Sequence, residues 1–138
     1  MAEESPADSA QVFRIEGARI HTIEDLYAQL NALLMAGEGW ELGVSLDALN
    51  DVLYRFHPSG ALGPTVFVWA DHEYSRKALG REATQRWLEE KLRHPDSFDV
   101  RAIRAQRDAL LAGDGKTYFD IVQEIFVAHS PDVHLILA

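Results

Sequence analysis

The sequence predicts an α/β fold: a small three-stranded parallel sheet flanked by helices, with an inserted helical segment at about 80–115. Three observations lead there. Short apolar runs near residues 11–16, 65–70 and 133–137 read as strands, and stretches with helical spacing of apolar residues separate them. The middle run, Thr65-Val-Phe-Val-Trp-Ala70, is continuous rather than alternating, the pattern of a strand buried on both faces. Strands separated by helices are joined by crossovers, which should be right-handed.

Taken in order, residues 1–10 (MAEESPADSA) are acidic and polar and are expected to be a disordered tail. Gln11–Glu16 is short and strand-like, and Gly17 ends it. Thr22 and Asp25, three apart, form an approximate capping box, and Leu26, Leu30, Leu33 and Leu34 continue a helix to about Met35. Gly37, Gly39 and Gly43 make 37–44 a loop that carries Glu38, Trp40 and Glu41. Ser45 is a good N-cap for a helix from Leu46 to about Phe56, stopped by His57-Pro-Ser-Gly60. After the second strand, Asp71 is expected to cap a helix reaching about Leu79. Helical patterns follow at 82–93, 100–112 and 117–128, separated by Gly80, Pro95-Asp-Ser97 and Gly113/Gly115. Ser130-Pro131 ends the last helix, and Val133–Leu137 is the third strand. Residues 11–138 therefore read as one domain, consistent with the chain's 138 residues.

Composition narrows the function. The absence of cysteine excludes disulfides, thiolate metal sites and cysteine nucleophiles. The acidic N-terminus lacks the basic start and apolar stretch of a signal peptide, so a cytoplasmic protein is expected. A net charge of −9 disfavours nonspecific binding to nucleic acid and suits a basic partner. The charge is uneven. Nine of the 13 basic residues lie between 76 and 107, so the rest of the molecule is strongly acidic.

The most informative segment is the helix after the glycine loop. At about 100° per residue, Leu46, Leu49, Val52, Leu53 and Phe56 fall on one side, and Asp47, Asn50, Asp51 and Tyr54 on the other. Two carboxylates one turn apart thus share a face with an amide and a phenol, with Trp40 in the loop just before. Such a pair can perform acid/base chemistry, contribute to an oxygen cage for a cation, or engage a cluster of arginine, lysine or histidine. It can also be an ordinary solvated face, with Asp47 complementing the helix dipole.

The run Gly43-Val-Ser-Leu-Asp-Ala-Leu-Asn-Asp51 resembles the signature of the barstar family, bacterial inhibitors of secreted ribonucleases. In that family a glycine and two further residues precede leucine-aspartate-alanine-leucine, an often aromatic residue and aspartate. Ile15-Glu-Gly17, Asp25-Leu26, the Val66–Trp69 strand and the Val133–Leu137 strand occur in the family's order. The resemblance covers 12–79 and 117–138, on either side of extra sequence. It implies a parallel three-stranded sheet with helices around it, no enzymatic activity and no cofactor. It also implies a protein partner, a basic ribonuclease or nuclease toxin whose active site is plugged by this helix and its preceding loop. By that resemblance Asp47 and Asp51 meet the cationic groups that hold RNA phosphate. Trp40 or Glu41 lies near the family's loop tyrosine, and Glu124 is nearest to a family glutamate in the last helix. Asn50 stands where an aromatic residue is usual, and Glu41-Leu42 replaces the loop tyrosines. The alternative is an interaction or regulatory domain that shares the fold and binds a non-nuclease partner, through the inserted basic helices.

Other features are weaker. Arg101, Arg104 and Arg107 recur in steps of three on one helix face and read as a solvated, salt-bridging surface. The six histidines form no H-x-x-x-H pair, and no metal site is expected. Gly113-Asp-Gly-Lys116 lacks the spacing of a phosphate loop and reads as a turn.

Overall fold

The computed structural model describes residues 11–58 and 63–138. The expected tail at 1–10 and the Ser59-Gly60 part of the expected helix stop lie outside the described residues. The elements are β1 (Gln11–Glu16), α1 (Ile23–Leu34), α2 (Leu46–Leu53), β2 (Thr65–Ala70), α3 (His72–Ala78), α4 (Arg81–Leu92), α5 (Val100–Leu111), α6 (Tyr118–Ala128) and β3 (Val133–Leu137). Single 3-10 turns follow β1 and α2, at Gly17–Arg19 and Tyr54–Phe56.

The sheet is parallel, in the order β1-β2-β3. Phe13, Phe67 and Leu135 align in one row, and Ile15, Trp69 and Leu137 in the next. These rows, with Leu26, Leu30, Leu49, Leu53, Phe56, Phe119, Val122 and Phe126 from the helices, form the main core. Phe67 touches Phe13, Phe56 and Phe126 at centroid distances of 5.1, 6.0 and 5.0 Å.

The opposite face of the sheet is different. Strand order β1-β2-β3 steps twice in the same direction, so crossovers of one hand lay their helices on the same side. Val12, Arg14, His134 and Ile136 on the other face are exposed, and Val66 and Val68 on the central strand are only half-buried. The expectation that 65–70 is buried on both faces is therefore corrected. Thr65, Phe67 and Trp69 are buried, and the two valines between them lie on the uncovered side.

The caps follow local sequence. Thr22 and Asp25 close a full capping box on α1, and Thr117 and Asp120 close another on α6. The Ser45 hydroxyl accepts from Ala48 N–H at 3.1 Å at the start of α2. Asp71 does not behave as expected. Its side chain makes no cap bond, and its backbone is left-handed, with φ 51° and ψ 42°. The chain must reverse sharply from β2 into α3, and aspartate tolerates this conformation better than most residues. At the same corner the β1 end approaches β2 closely. A Cβ at Gly17 would collide with the carbonyl oxygens of Ala70 and Asp71. Ser75 secures the junction by donating to Gly17 carbonyl at 2.9 Å while accepting from Trp69 Nε1–H at 2.9 Å.

The 80–115 segment is stitched into the domain. The Thr84 hydroxyl donates to Gly80 carbonyl and accepts from Tyr118 N–H, both at 2.7 Å. Trp87 stands edge-on to Tyr118 at 4.8 Å, and Tyr118 shares a buried 2.7 Å hydrogen bond with Tyr27 of α1. Leu88, Ile103 and Leu110 form a small second cluster between α4 and α5, and Trp87 packs against both clusters.

Candidate functional site

Helix α2 is amphipathic in the expected sense. Leu49, Val52, Leu53 and Phe56 are buried, and Leu46 packs against the core. That locks the rotation of the helix and sets Asp47, Asp51 and Tyr54 outward. Both carboxylates are exposed, and Tyr54 is 54% exposed. Neither carboxylate lines either of the two larger clefts of the described residues. A buried acid/base pair is thus not what this face presents.

Asn50 departs from the expectation. It is half-buried, and its Oδ1 accepts from Nε2 of His129 at 2.8 Å. The wheel places it near the edge of the polar face, and α6 packs along that edge, so its amide is turned to a neighbour instead of to solvent. Tyr54 leans on the same histidine, ring to ring at 4.7 Å.

The preceding loop is held at defined points. Leu42 N–H donates to Asn31 Oδ1 at 2.6 Å, and Asn31 Nδ2–H donates back to Leu42 carbonyl at 3.2 Å. Arg55 reaches from beyond α2 to Glu38 at 3.0 Å, and Met35 is buried beneath. Trp40, 58% exposed, and Glu41 are carried on this pinned loop. With Glu24, Asn31, Met35 and Glu38 they border a cleft of about 700 Å³ between α1 and the loop.

Helix α4 also reaches this region. Lys91 lies over the ring of Trp87, 4.0 Å from its centroid, and 5.2 Å from that of Phe98. Burial lowers its ammonium pKa from the ordinary value, while the negative charge of Asp47 pulls it back up. Lys91 therefore offsets part of the charge of Asp47 on the α2 ridge. Lys91 and Val44 share the lining of a second cleft, about 470 Å³, with Ile23 and Trp87. No spacing in the sequence announces this influence, because Lys91 and Asp47 are far apart in the chain and come near each other only through the packing of α4.

Glu124 is exposed on α6 and bonded to Lys116 at 2.9 Å. Among the described residues no hydrogen bond or ion pair ties it to the α2 face. Of the α5 arginines, Arg107 pairs with Asp108 at 3.6 Å, and Arg101 and Arg104 are exposed without an ion-pair partner among the described residues. Among those residues no group of three potential metal ligands comes together, and no helix is long and apolar enough to cross a membrane.

The chain matches no protein-family model and no curated protein sequence.

Proposed function

We propose that this protein is a barstar-like inhibitor of a basic ribonuclease or nuclease toxin, acting by occupying the active site with α2 and the loop before it. The single observation that carries the reading is the pair Asp47 and Asp51. Both are exposed and one helical turn apart, on a helix whose other face is locked into the core. Such a ridge offers two carboxylates at fixed spacing to cationic groups that normally hold phosphate, where charge-assisted bonds are strong. Trp40 and Glu41 extend the surface from a loop that does not have to be ordered on binding, which lowers the entropic cost of association. The work is steric and electrostatic, so no catalytic group or cofactor of its own is required.

The test is affinity capture of basic proteins from the same source, eluted by salt, followed by calorimetric titration of the captured nuclease. Asp51→Ala should weaken binding at least about tenfold, roughly 1.4 kcal/mol, with an unchanged circular dichroism spectrum. Unchanged affinity would overturn the reading.

A second reading is favoured by Arg101 and Arg104, which project from α5 unpaired among the described residues. It takes the protein as an interaction domain for an acidic, non-nuclease partner. Charge reversal of both arginines should abolish capture in that case, and should leave the nuclease complex intact in the first.

A further inference from the structure

Three side chains, Asn50, His129 and His57, form one hydrogen-bonded line beneath the exposed face of α2, and Asp132 stands at its His57 end. Asn50 Oδ1 meets His129 Nε2 at 2.8 Å, His129 Nδ1 meets His57 Nε2 at 2.7 Å, and His57 Nδ1 faces Asp132 Oδ2 at 3.5 Å. His129 is the C-cap of α6 and only 2% exposed. His57 follows the 3-10 turn after α2, and Asp132 precedes β3. The line therefore joins the outer edge of α2 to α6 and β3.

The donors and acceptors fix how it works. Asn50 Oδ1 can only accept, so His129 carries its proton on Nε2. Its Nδ1 is then a lone pair and accepts from His57 Nε2–H. The junction between the rings has room for one proton. We propose that the His57–His129 couple is a proton-operated latch under the acidic face. One N–H between the rings closes it, and protonation of both rings sets N–H against N–H, parts them, and frees Asn50 and Tyr54 from their brace.

The surroundings favour the closed form near neutrality. Burial lowers the pKa of His129, and the nearby charge of His57 lowers it further. The titratable groups facing the couple are Tyr54, 4.7 Å from the His129 ring and 5.0 Å from that of His57, and Asp132 beside His57. Helix α2 faces it with the neutral amide of Asn50. Asp132 attends His57 and not His129, so a second proton on the couple has no counter-charge of its own.

The latch itself needs no partner. Its effect on binding rests on the inhibitor reading, and the test separates the two. Histidine ring and Tyr54 resonances of the full chain are followed by NMR from about pH 8 to about pH 5, across the ordinary histidine range. In the wild type His129 should titrate below the ordinary histidine value, and the ring signals of His57 and Tyr54 should respond to that step. His129→Gln should abolish the Tyr54 shift. Asn50→Asp, which puts a carboxylate against Nε2, should move the His129 titration upward. The melting temperature should fall on acidification in the wild type and less in His129→Gln. His57 or Tyr54 signals indifferent to the His129 step would overturn the latch. For the captured nuclease, binding should weaken at least about threefold on acidification in the wild type and not in His129→Gln. If the ring titrations behave as stated while Asp51→Ala leaves binding intact, the latch stands and the inhibitor reading falls.

Discussion

Asn31 and Leu42 hold each other at two points, the asparagine amide accepting from the Leu42 N–H at 2.6 Å and donating to its carbonyl at 3.2 Å. A side chain here completes the hydrogen bonding of a backbone segment as a neighbouring strand would. Trp40 and Glu41, immediately before Leu42, take their placement from this clasp.

Removing the clasp should therefore loosen the loop more than the fold. Asn31→Ala deletes two hydrogen bonds of about 1 kcal/mol each and leaves a half-buried carbonyl and N–H to water. A loss of about 1–2 kcal/mol in urea unfolding is expected, with faster proteolytic cleavage between 36 and 44 than elsewhere in the chain. Equal protection of that loop in the variant would show that Arg55–Glu38 and Met35 suffice to hold it.

The clasp also marks the limit of what the sequence discloses. Capping by Thr22 and Ser45, and the division of α2 into a buried and an exposed face, are short-range properties set by helical period and hydrogen-bonding side chains. They are legible in consecutive residues. The Asn50–His129 bond spans 79 residues, and nothing local to either residue announces it. The uncovered sheet face depends on strand order, which no single strand encodes, so Val66 and Val68 read as core until β1 and β3 are placed on either side. Asp71 misleads for a different reason. Its residue type suits both an N-cap and a left-handed turn, and the sharp β2–α3 corner selects the second.

That same corner makes Gly17 hard to replace. A methyl group at this position meets two backbone carbonyl oxygens, which cannot move without shifting the end of β2. Gly17→Ala should destabilise by about 1–3 kcal/mol, the range for forcing extra volume into a filled site. Gly43→Ala, where a Cβ meets nothing within 4 Å, is the matched control and should cost far less. Similar denaturant midpoints for the two would refute the steric account.

Thr84 tests whether α4 and α5 support the rest of the fold. Its hydroxyl is fully buried and serves Tyr118 N–H and Gly80 carbonyl together. Thr84→Val keeps the volume but leaves the Tyr118 N–H without a partner, so a loss of about 1–3 kcal/mol is expected, with Thr84→Ser largely restoring stability. Excising 80–115 should be worse, because it uncovers Tyr118 and removes the Trp87 contact. A shortened chain that still unfolds cooperatively at the parent midpoint would show the 80–115 segment to be dispensable.

The Tyr27–Tyr118 pair sets an alkaline limit on stability. Their hydroxyls meet at 2.7 Å inside the core. Burial raises the Tyr27 pKa to about 12, against the opposing effect of its hydrogen bond to Tyr118. The Tyr118 phenol is raised as well, by burial first and then by Tyr27. In the unfolded chain both titrate near 10. Between about 10 and 12 the folded state thus holds protons that the unfolded state has released. Stability is fully present below about pH 10 and falls as pH rises through that window. Denaturant midpoints should decline there, and tyrosinate absorbance from these two residues should appear together with unfolding instead of before it. Tyr27→Phe removes one titrating group and one hydrogen bond, so the variant should start less stable at neutral pH and lose less on the alkaline side. Tyrosinate formation at both positions in a still-folded protein would mean that the pair is open to solvent.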